Sequence, residues 1–404
     1  MLHIFMDLYN MKISITTPSH KTTFLKELEE TILSQTFQNW EWVILLNNGA
    51  EYQSTDDRIK VYRSLRESTS VGALKKEACS LGTGEIIVEV DHDDMITPDC
   101  LEEIASAFSD DRVGFVYSDN AKLTDSFIPY DPNNGWTFDY FDWRGKRLIA
   151  MRSQPLTAGR LGYIWYAPDH VRAWRKSVYD SIGGHDETLY ICDDQDLMHR
   201  LFLATRFHFI NKVLYIYRIT GDNTWIERNQ AIQSKTVEIY QKNIFKLAER
   251  WSDIHGLLKI DLCGAFNKPE GYLSIDQQGA DITADLNNGI PLPDNSCGIV
   301  RAQDAIEHLP NKLLTMREIY RVLAPGGILL SRTPSTDGRG AFQDPTHVSF
   351  WNENSFWYWT RPGLMEYIRN TDVRFFESSL RTMYLSDWHV QNKIPYVEAF
   401  LEKL

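Results

Sequence analysis

The chain has 404 residues, 43% of them apolar and 24% charged, a length that suits two domains and a balance that excludes a disordered, fibrous or coiled-coil protein. Its formal charge of -13, from 42 basic and 55 acidic residues, disfavours nucleic acid as the main partner. The five cysteines are scattered without a CxxC pair, so neither a disulfide framework nor a zinc site is indicated and a reducing cytoplasm is the expected location.

In chain order, Lys12 to Thr16 and Glu41 to Leu46 read as strands around a helix from Phe24 to Gln35, in which Phe24, Leu25, Leu28, Ile32 and Leu33 recur at helical spacing. A helix from Val71 to Ser80, a buried strand from Glu85 to Val90 and a helix beginning near Pro98 follow. From Ile226 to Ile254 a polar helix with the stripe Val237, Tyr240, Ile244, Leu247, Ala248 and Trp251 reads as a connector. Alternation then restarts with strands Leu258 to Leu262, Tyr272 to Ile275 and Gly298 to Arg301, a helix Lys312 to Leu323, a Pro-Gly-Gly turn and a strand Ile328 to Ser331. Alternating β and α elements require a mostly parallel sheet covered by helices, here twice over. The predicted organisation is residues 1–225 as a first α/β domain, 226–256 as a connecting helix and 257–404 as a second. No run approaches the eighteen or so apolar residues of a membrane helix, residues 1–10 lack the marks of a signal peptide, and most of the Trp residues are expected in the core.

The strand Ile86 to Val90 runs straight into Asp91-His92-Asp93-Asp94. Carboxylates crowded at the end of a central strand repel one another unless a cation or amide donors compensate. Oxygen ligands at such a place favour Mg2+ or Mn2+ with diphosphate oxygens completing the shell. The simpler alternative is that Asp94 or Thr97 caps the next helix.

On these residues and others in register, Met11 to Trp225 resembles a family 2 glycosyltransferase of the GT-A fold. Ile15-Thr16-Thr17-Pro18-Ser19-His20 is similar to the opening strand and nucleotide-binding turn, and Gln35 to Glu41 to the approach to the second strand. Asp91-His92-Asp93 stands at the DxD motif, Tyr166 to Tyr179 resembles the acceptor-side strand, and Cys192-Asp193-Asp194-Gln195-Asp196-Leu197 resembles the segment carrying the catalytic base. The resemblance implies an inverting transferase with Asp194 as base and Asp91 and Asp93 as metal ligands. It further implies donor contacts from Thr17, Pro18, His20, Asn47, Asn48, Lys75 and His92, and an acceptor side at Trp174 and Asp193. The chemistry agrees: transfer to a hydroxyl needs one carboxylate for the proton and one cation for the departing diphosphate. The sequence also departs from the pattern. Asn47 and Asn48 replace an acidic pair, Lys75 and Lys76 replace an Arg-Asn pair, Thr220 stands where a late His is expected, and no Trp follows Arg200-Leu201, which favours a single transfer over chain synthesis.

In the second half, Leu258 to Leu262 leads into Cys263-Gly264-Ala265, and Asp276, Asp285, Gln303-Asp304 and the run Glu318 to Gly327 follow in order. Together they resemble a class I S-adenosylmethionine-dependent methyltransferase, a shortened Rossmann-like domain. By resemblance Gly264, Asp276, Asp285, Gln303 and Asp304 would bind S-adenosylmethionine. The stretch between Gly264 and Tyr272 is short for a parallel crossover, so the helix that normally faces the cofactor must be absent or a turn. His308 and His347 are candidate bases for methyl transfer. The sequence thus predicts a metal-dependent glycosyltransferase using a nucleotide-sugar and a glycan or other hydroxyl acceptor, joined to a domain that methylates the glycan or is an inactive binding or assembly module. A nucleotidyltransferase is disfavoured by the lack of a Gly-rich triphosphate loop.

Overall fold

The computed structural model describes residues 11–66, 70–124, 136–162, 168–220, 228–265, 267–370 and 372–404. Expectations on residues 1–10, Tyr166 and residues 221–227 lie outside them. The chain divides into two compact units, Met1–Leu156 with Tyr163–Asn243, and Thr157–Gly162 with Ile244–Leu404.

In the first unit the strands are β1 (Ile13–Ser19), β2 (Trp40–Leu46), β3 (Ile59–Arg63), β4 (Ile86–Glu89), β5 (Met95–Ile96), β6 (Val113–Leu123), β7 (Phe138–Trp143), β8 (Lys146–Met151), β9 (Arg172–Arg175) and β10 (Arg206–Arg218). They lie in the order β3-β2-β1-β4-β9-β6-β10-β5, with the β7–β8 hairpin joined to β6. β1 runs parallel to β2 and β4, with Ile13 opposite both Trp40 and Ile86, whereas β9 is antiparallel to β4 and β6. β2 is buried along its whole length, as a strand covered on both faces must be. The helices are α1 (Leu25–Leu33), α2 (Val71–Leu81), α3 (Cys100–Ala107), α4 (Lys176–Ser181) and α5 (Asp193–Ala204). The periodic apolar residues Leu25, Leu28 and Ile32 of α1 join Ile13, Ile15, Trp42 and Val88 in one core. Because β1, β2 and β4 are parallel, their carboxyl ends open on one edge of the sheet, where α/β proteins bind ligands.

Helix α6 (Asn229–His255) is 27 residues long, and the division between the units falls within it. Tyr240, Ile244, Leu247, Ala248 and Trp251 of its predicted stripe are buried, but Val237 is exposed and Ile239 is buried in its stead.

The second unit holds β11 (Leu258–Leu262), β12 (Leu273–Asp276), β13 (Ile282–Thr283), β14 (Cys297–Gln303), β15 (Leu323–Pro334), β16 (Phe375–Met383) and β17 (Tyr396–Lys403), in the order β13-β12-β11-β14-β15-β17-β16. β11 to β15 form a parallel set, and β17 runs antiparallel between β15 and β16. Its helices include α7 (Lys312–Val322), α8 (Gly340–Gln343) and α9 (Glu353–Thr360). α7 is capped by the Asn311 side chain accepting from the Leu314 amide, and α9 by a reciprocal Asn352–Ser355 box. The predicted Pro-Gly-Gly turn is absorbed into β15, where the partner jumps from Leu323 to Ile328 between Cys297 and Ile299. Of the aromatic run, Trp351, Phe356 and Trp359 are core, and Phe350 is exposed. Between β11 and β12 no helix occurs among the described residues, as the short connection requires.

Candidate active site

At the carboxyl edge of the first sheet lies a cavity of about 690 Å3. Pro18 and His20 reach it from the end of β1, Asn47 from β2, Lys75 from α2 and Asp91, His92, Asp93 and Asp94 from the turn after β4. Lys122, Asp169, His170, Arg172, Asp193, Asp194 and Tyr217 are among the other polar residues that line it. The two acidic segments read from the sequence, a hundred residues apart, therefore face one space.

Within the turn the carboxylates are held differently. Asp94 is buried and accepts from the Tyr215 hydroxyl at 2.8 Å and the Arg218 amide at 2.7 Å, so it ties the turn to β10. It does not cap a helix, since α3 begins after Asp99, whose side chain makes no cap bond, and Thr97 donates to Asp99. The Asp91 amide donates to the same Tyr215 oxygen at 3.1 Å. Burial, with help from Glu89 and Asp93, pushes the Asp91 carboxyl up to about 7. His92 and His20 meet edge to face at 5.0 Å, and burial lowers both imidazoles.

Beneath the turn is a buried ionic cluster. Lys75 sits 2.9 Å from Glu89 and 3.4 Å from Asp193, and His185 is 3.4 Å and 3.8 Å from the same two carboxylates. Burial works against the Lys75 ammonium, but Asp193 and Glu89 outweigh it and hold its proton well above the usual range. Burial likewise opposes the charge on His185, yet hydrogen bonding to Cys79 and Glu89 raises it to about 9. The cluster depends on close packing of α2 against the loop before α5. Ser70 caps α2 by accepting from the Ala73 amide and donates to the Glu187 carbonyl. At Gly72 an added Cβ would lie 2.0 Å from the Asp186 carbonyl oxygen, so only glycine fits.

Cys192 has a left-handed backbone, φ 58°, which turns the chain sharply into α5 and brings Asp193 and Asp194 to the cavity. Asp194 accepts from the Arg172 guanidinium at 2.8 Å. Burial pushes its carboxyl up, but the charges of Arg172 and Lys75 outweigh that and hold it below the usual carboxylate range. Asp193 is raised, chiefly by burial.

Two predicted residues serve the core instead of a ligand. Thr17 is fully buried, donating to the Val90 carbonyl and accepting from Trp42 Nε1, each at 2.9 Å, because its position on β1 faces the core. Trp174, expected on the acceptor side, is 1% exposed and stacks between Phe115 and Tyr179; its place on β9 points it into the sheet's packing layer. Asn48 has φ 52° and forms the bend after β2, and it is Asn47 that lines the cavity. Sequence reasoning overlooked Glu89, Arg172, Lys122, Asp169, His170 and His185. The available signal was a charged residue inside an apolar strand, Glu89 in Ile86-Ile87-Val88-Glu89-Val90 and Arg172 in Val171-Arg172-Ala173.

In the second unit, Gly264, Asp276, Gln303 and Asp304 gather at the carboxyl ends of β11, β12 and β14. At Gly264 a Cβ would meet the Asp261 carboxylate at 2.3 Å, and Asp261 is paired with Arg301 at 2.6 Å. Asp285 caps a short 3-10 turn by accepting from the Asn287 amide, and the Gln303 amide donates to the Leu330 carbonyl at 3.2 Å. The His308 and His347 rings meet edge to face at 5.0 Å.

Residues 14–165 match the glycosyl transferase family 2 model and residues 260–331 the methyltransferase domain model. The first unit is thus similar over residues 14–165 to family 2 glycosyl transferases, and the second over residues 260–331 to methyltransferase domains. Among curated proteins, the chain is 26% identical over 238 residues to EpsH of Bacillus subtilis, provisionally named a glycosyltransferase, covering 55% of this chain and 62% of that protein. It is 22% identical over 229 residues to hyaluronan synthase of Pasteurella multocida, covering 54% of this chain and 21% of the synthase. The chain therefore spans less than two thirds of these relatives. A solved structure of S. aureus TarS, residues 1–349, aligns with a TM-score of 0.40 and 16% identity over 60% of this chain and 72% of that one. Among the described residues no helix is long and apolar enough to cross a membrane.

Proposed function

We propose that the first unit is a metal-dependent, inverting glycosyltransferase that moves one sugar from a nucleotide-sugar to an acceptor hydroxyl. The observation that carries this reading is the single cavity lined by Asp91, Asp93, Lys75, Arg172 and Asp194. The acidic turn fits a divalent cation, since Asp91 is pushed up to about 7 by burial and negative neighbours, a charge excess that Mn2+ or Mg2+ would relieve. Asp91 and Asp93 would hold that ion, which supplies charge to a departing diphosphate. Pro18, His20 and Asn47, at the ends of β1 and β2, suit the nucleoside side. Arg172 keeps Asp194 ionised at neutral pH, so the carboxylate accepts the acceptor hydroxyl's proton. Its low affinity for a proton suits transfer that follows bond formation, when the hydroxyl has become acidic.

Nucleoside diphosphate release across a donor panel, with and without Mn2+, tests the reading. Asp194→Asn is expected to lower turnover by about 10²- to 10⁴-fold with donor affinity little changed, and retained turnover would remove Asp194 as base.

For the second unit, S-adenosylmethionine fits poorly. No helix lies between β11 and β12 among the described residues, Asp285 is engaged as a cap and the Gln303 amide is bonded within the sheet. These observations favour a binding or assembly module of methyltransferase fold over methylation of the glycan. Calorimetric titration of the full chain with S-adenosylmethionine separates them: saturable heat would restore the methyltransferase reading.

A further inference from the structure

Beyond β14, a single 3-10 turn, Ile306–His308, presents two chemistry-bearing side chains in succession, and a loop brings a third to them. Thr346 donates through its amide and hydroxyl to the Asp344 carboxylate at 2.8 and 2.7 Å, making a tight bend. The amides of Val348 and Ser349 then donate to the Glu307 carbonyl, each at 2.9 Å. This pair of hydrogen bonds holds the His347 loop against the turn, and the two rings meet at 5.0 Å. One donor atom from each of Glu307, His308 and His347 lies within 4.8 Å of the other two.

The remaining atoms of these groups are already committed. His347 Nδ1 is 3.0 Å from the Ala341 carbonyl oxygen on α8, and His308 Nδ1 is 3.2 Å from that of Thr346. A carbonyl only accepts, so each Nδ1 carries the proton and each Nε2 presents a lone pair. That tautomer, locked by a backbone carbonyl, is the form in which imidazole binds metals. Glu307 is 2% exposed; its Oε2 accepts from the Thr333 hydroxyl at 2.7 Å, while Oε1 is buried without a hydrogen-bond partner among the described residues. A buried carboxylate oxygen left so is costly, and a cation is the partner its surroundings provide for.

We propose that Glu307 Oε1, His308 Nε2 and His347 Nε2 hold a divalent transition-metal ion in the second unit. Two imidazoles and one carboxylate suit Zn2+ and its first-row neighbours better than Mg2+ or Ca2+. Three protein ligands leave coordination positions open for an oxygen of a bound molecule. The absence of paired cysteines does not bear on this site, whose ligands are nitrogen and oxygen. In this arrangement the two histidines act as ligands, not as free bases, and the assignment is independent of the glycosyl-transfer reading.

The test uses the full, untagged chain, titrated with Co2+ and followed by calorimetry and visible absorption. An Asp91→Asn/Asp93→Asn variant runs in parallel to remove the acidic turn of the first unit. The expected result is a visible ligand-field band in the wild type that is kept in the Asp91→Asn/Asp93→Asn variant, where one Co2+ binds per chain. His308→Ala, His347→Ala and Glu307→Gln should each weaken binding by about tenfold or more and abolish the band. His347 lies on a surface loop, so the metal-free melting midpoint of His347→Ala is expected to match the wild type, separating ligand loss from unfolding. Absence of Co2+ binding, its loss in the Asp91→Asn/Asp93→Asn variant, or its retention in all three ligand variants would overturn the site.

Discussion

Replacing Lys75 with methionine removes a charge from the buried cluster while keeping most of the side-chain volume, so its cost is electrostatic. Glu89 and Asp193 are balanced by Lys75 and His185 at 2.9 to 3.8 Å. Without Lys75 one carboxylate is unbalanced, and breaking a buried pair from one side costs about 3–5 kcal/mol. The chain can limit this by protonating the stranded carboxyl. From the usual value of 4.5, that takes about 3.4 kcal/mol at pH 7 and about 0.7 kcal/mol at pH 5. The variant's folded state then binds one proton more than its unfolded state between these values, so its stability falls as pH rises. The deficit against wild type should therefore be about 3 kcal/mol at pH 7 and about 1 kcal/mol at pH 5. Urea unfolding of the full chain at both pH values measures it, with the first unit's transition assigned by hydrogen exchange at β4. Adding Glu89→Gln should recover part of the loss at pH 7. A deficit under about 1 kcal/mol at pH 7, or one independent of pH, would refute the charge accounting.

Glu41 accepts from Lys12, Ser14 and Thr83, and despite the opposing effect of burial these donors lower its carboxyl to about 2. A depressed folded value stabilises above the unfolded pKa and is lost as pH falls from about 4.5 towards 2. Glu41→Gln should therefore remove about 2–3 kcal/mol at pH 7 and flatten the acid-unfolding curve, and an unaltered curve would contradict the assignment. Trp174→Phe should cost about 1–2 kcal/mol of stability through lost packing while leaving the acceptor KM unchanged; a tenfold rise in that KM would return Trp174 to the acceptor side.

How far the sequence discloses this molecule depends on the kind of signal each part carries. Parallel strands buried on both faces are continuous apolar runs, and so β1, β2, β4 and β11 were legible to within a few residues. β6 was not read as a strand, because its inner residues include Ser118, Asp119, Asn120 and Lys122, buried polar groups whose satisfaction depends on partners distant in sequence. Asp119, for example, accepts from Arg152 and the Ser153 amide. The acidic turn was legible because its crowding has no cheap local explanation, whereas Asp194, in a first helical turn where acids are common, was singled out only through the family resemblance. The cations that govern them, Lys75 excepted, were not: Arg172 lies on an antiparallel strand that only tertiary pairing brings beside Asp194. Similarly His308 and His347 are separated in sequence by α7, β15 and α8, and only tertiary contacts, the bonds of Val348 and Ser349 to Glu307 among them, bring them together.

The cavity shows one residue type doing several jobs because its neighbours differ. Asp94, hydrogen-bonded by Tyr215 and Arg218, is structural. Asp91 is pushed up to about 7, chiefly by burial. Asp194 touches Arg172 at 2.8 Å and stays ionised. Separating the proton affinities of neighbouring carboxyls is how a fold assigns them different roles. Here the separation follows the cation each acid reaches, Arg172 in direct contact for Asp194 and only the longer-range charge of Lys75 and Arg172 among the described residues for Asp91. Exchanging that single contact, by Arg172→Leu, should raise Asp194 towards the range of Asp91. The pH at which transfer activity is half lost on acidification should move up accordingly, and a pH profile that drops in height without shifting would mean that Arg172 acts on the substrate instead of on Asp194.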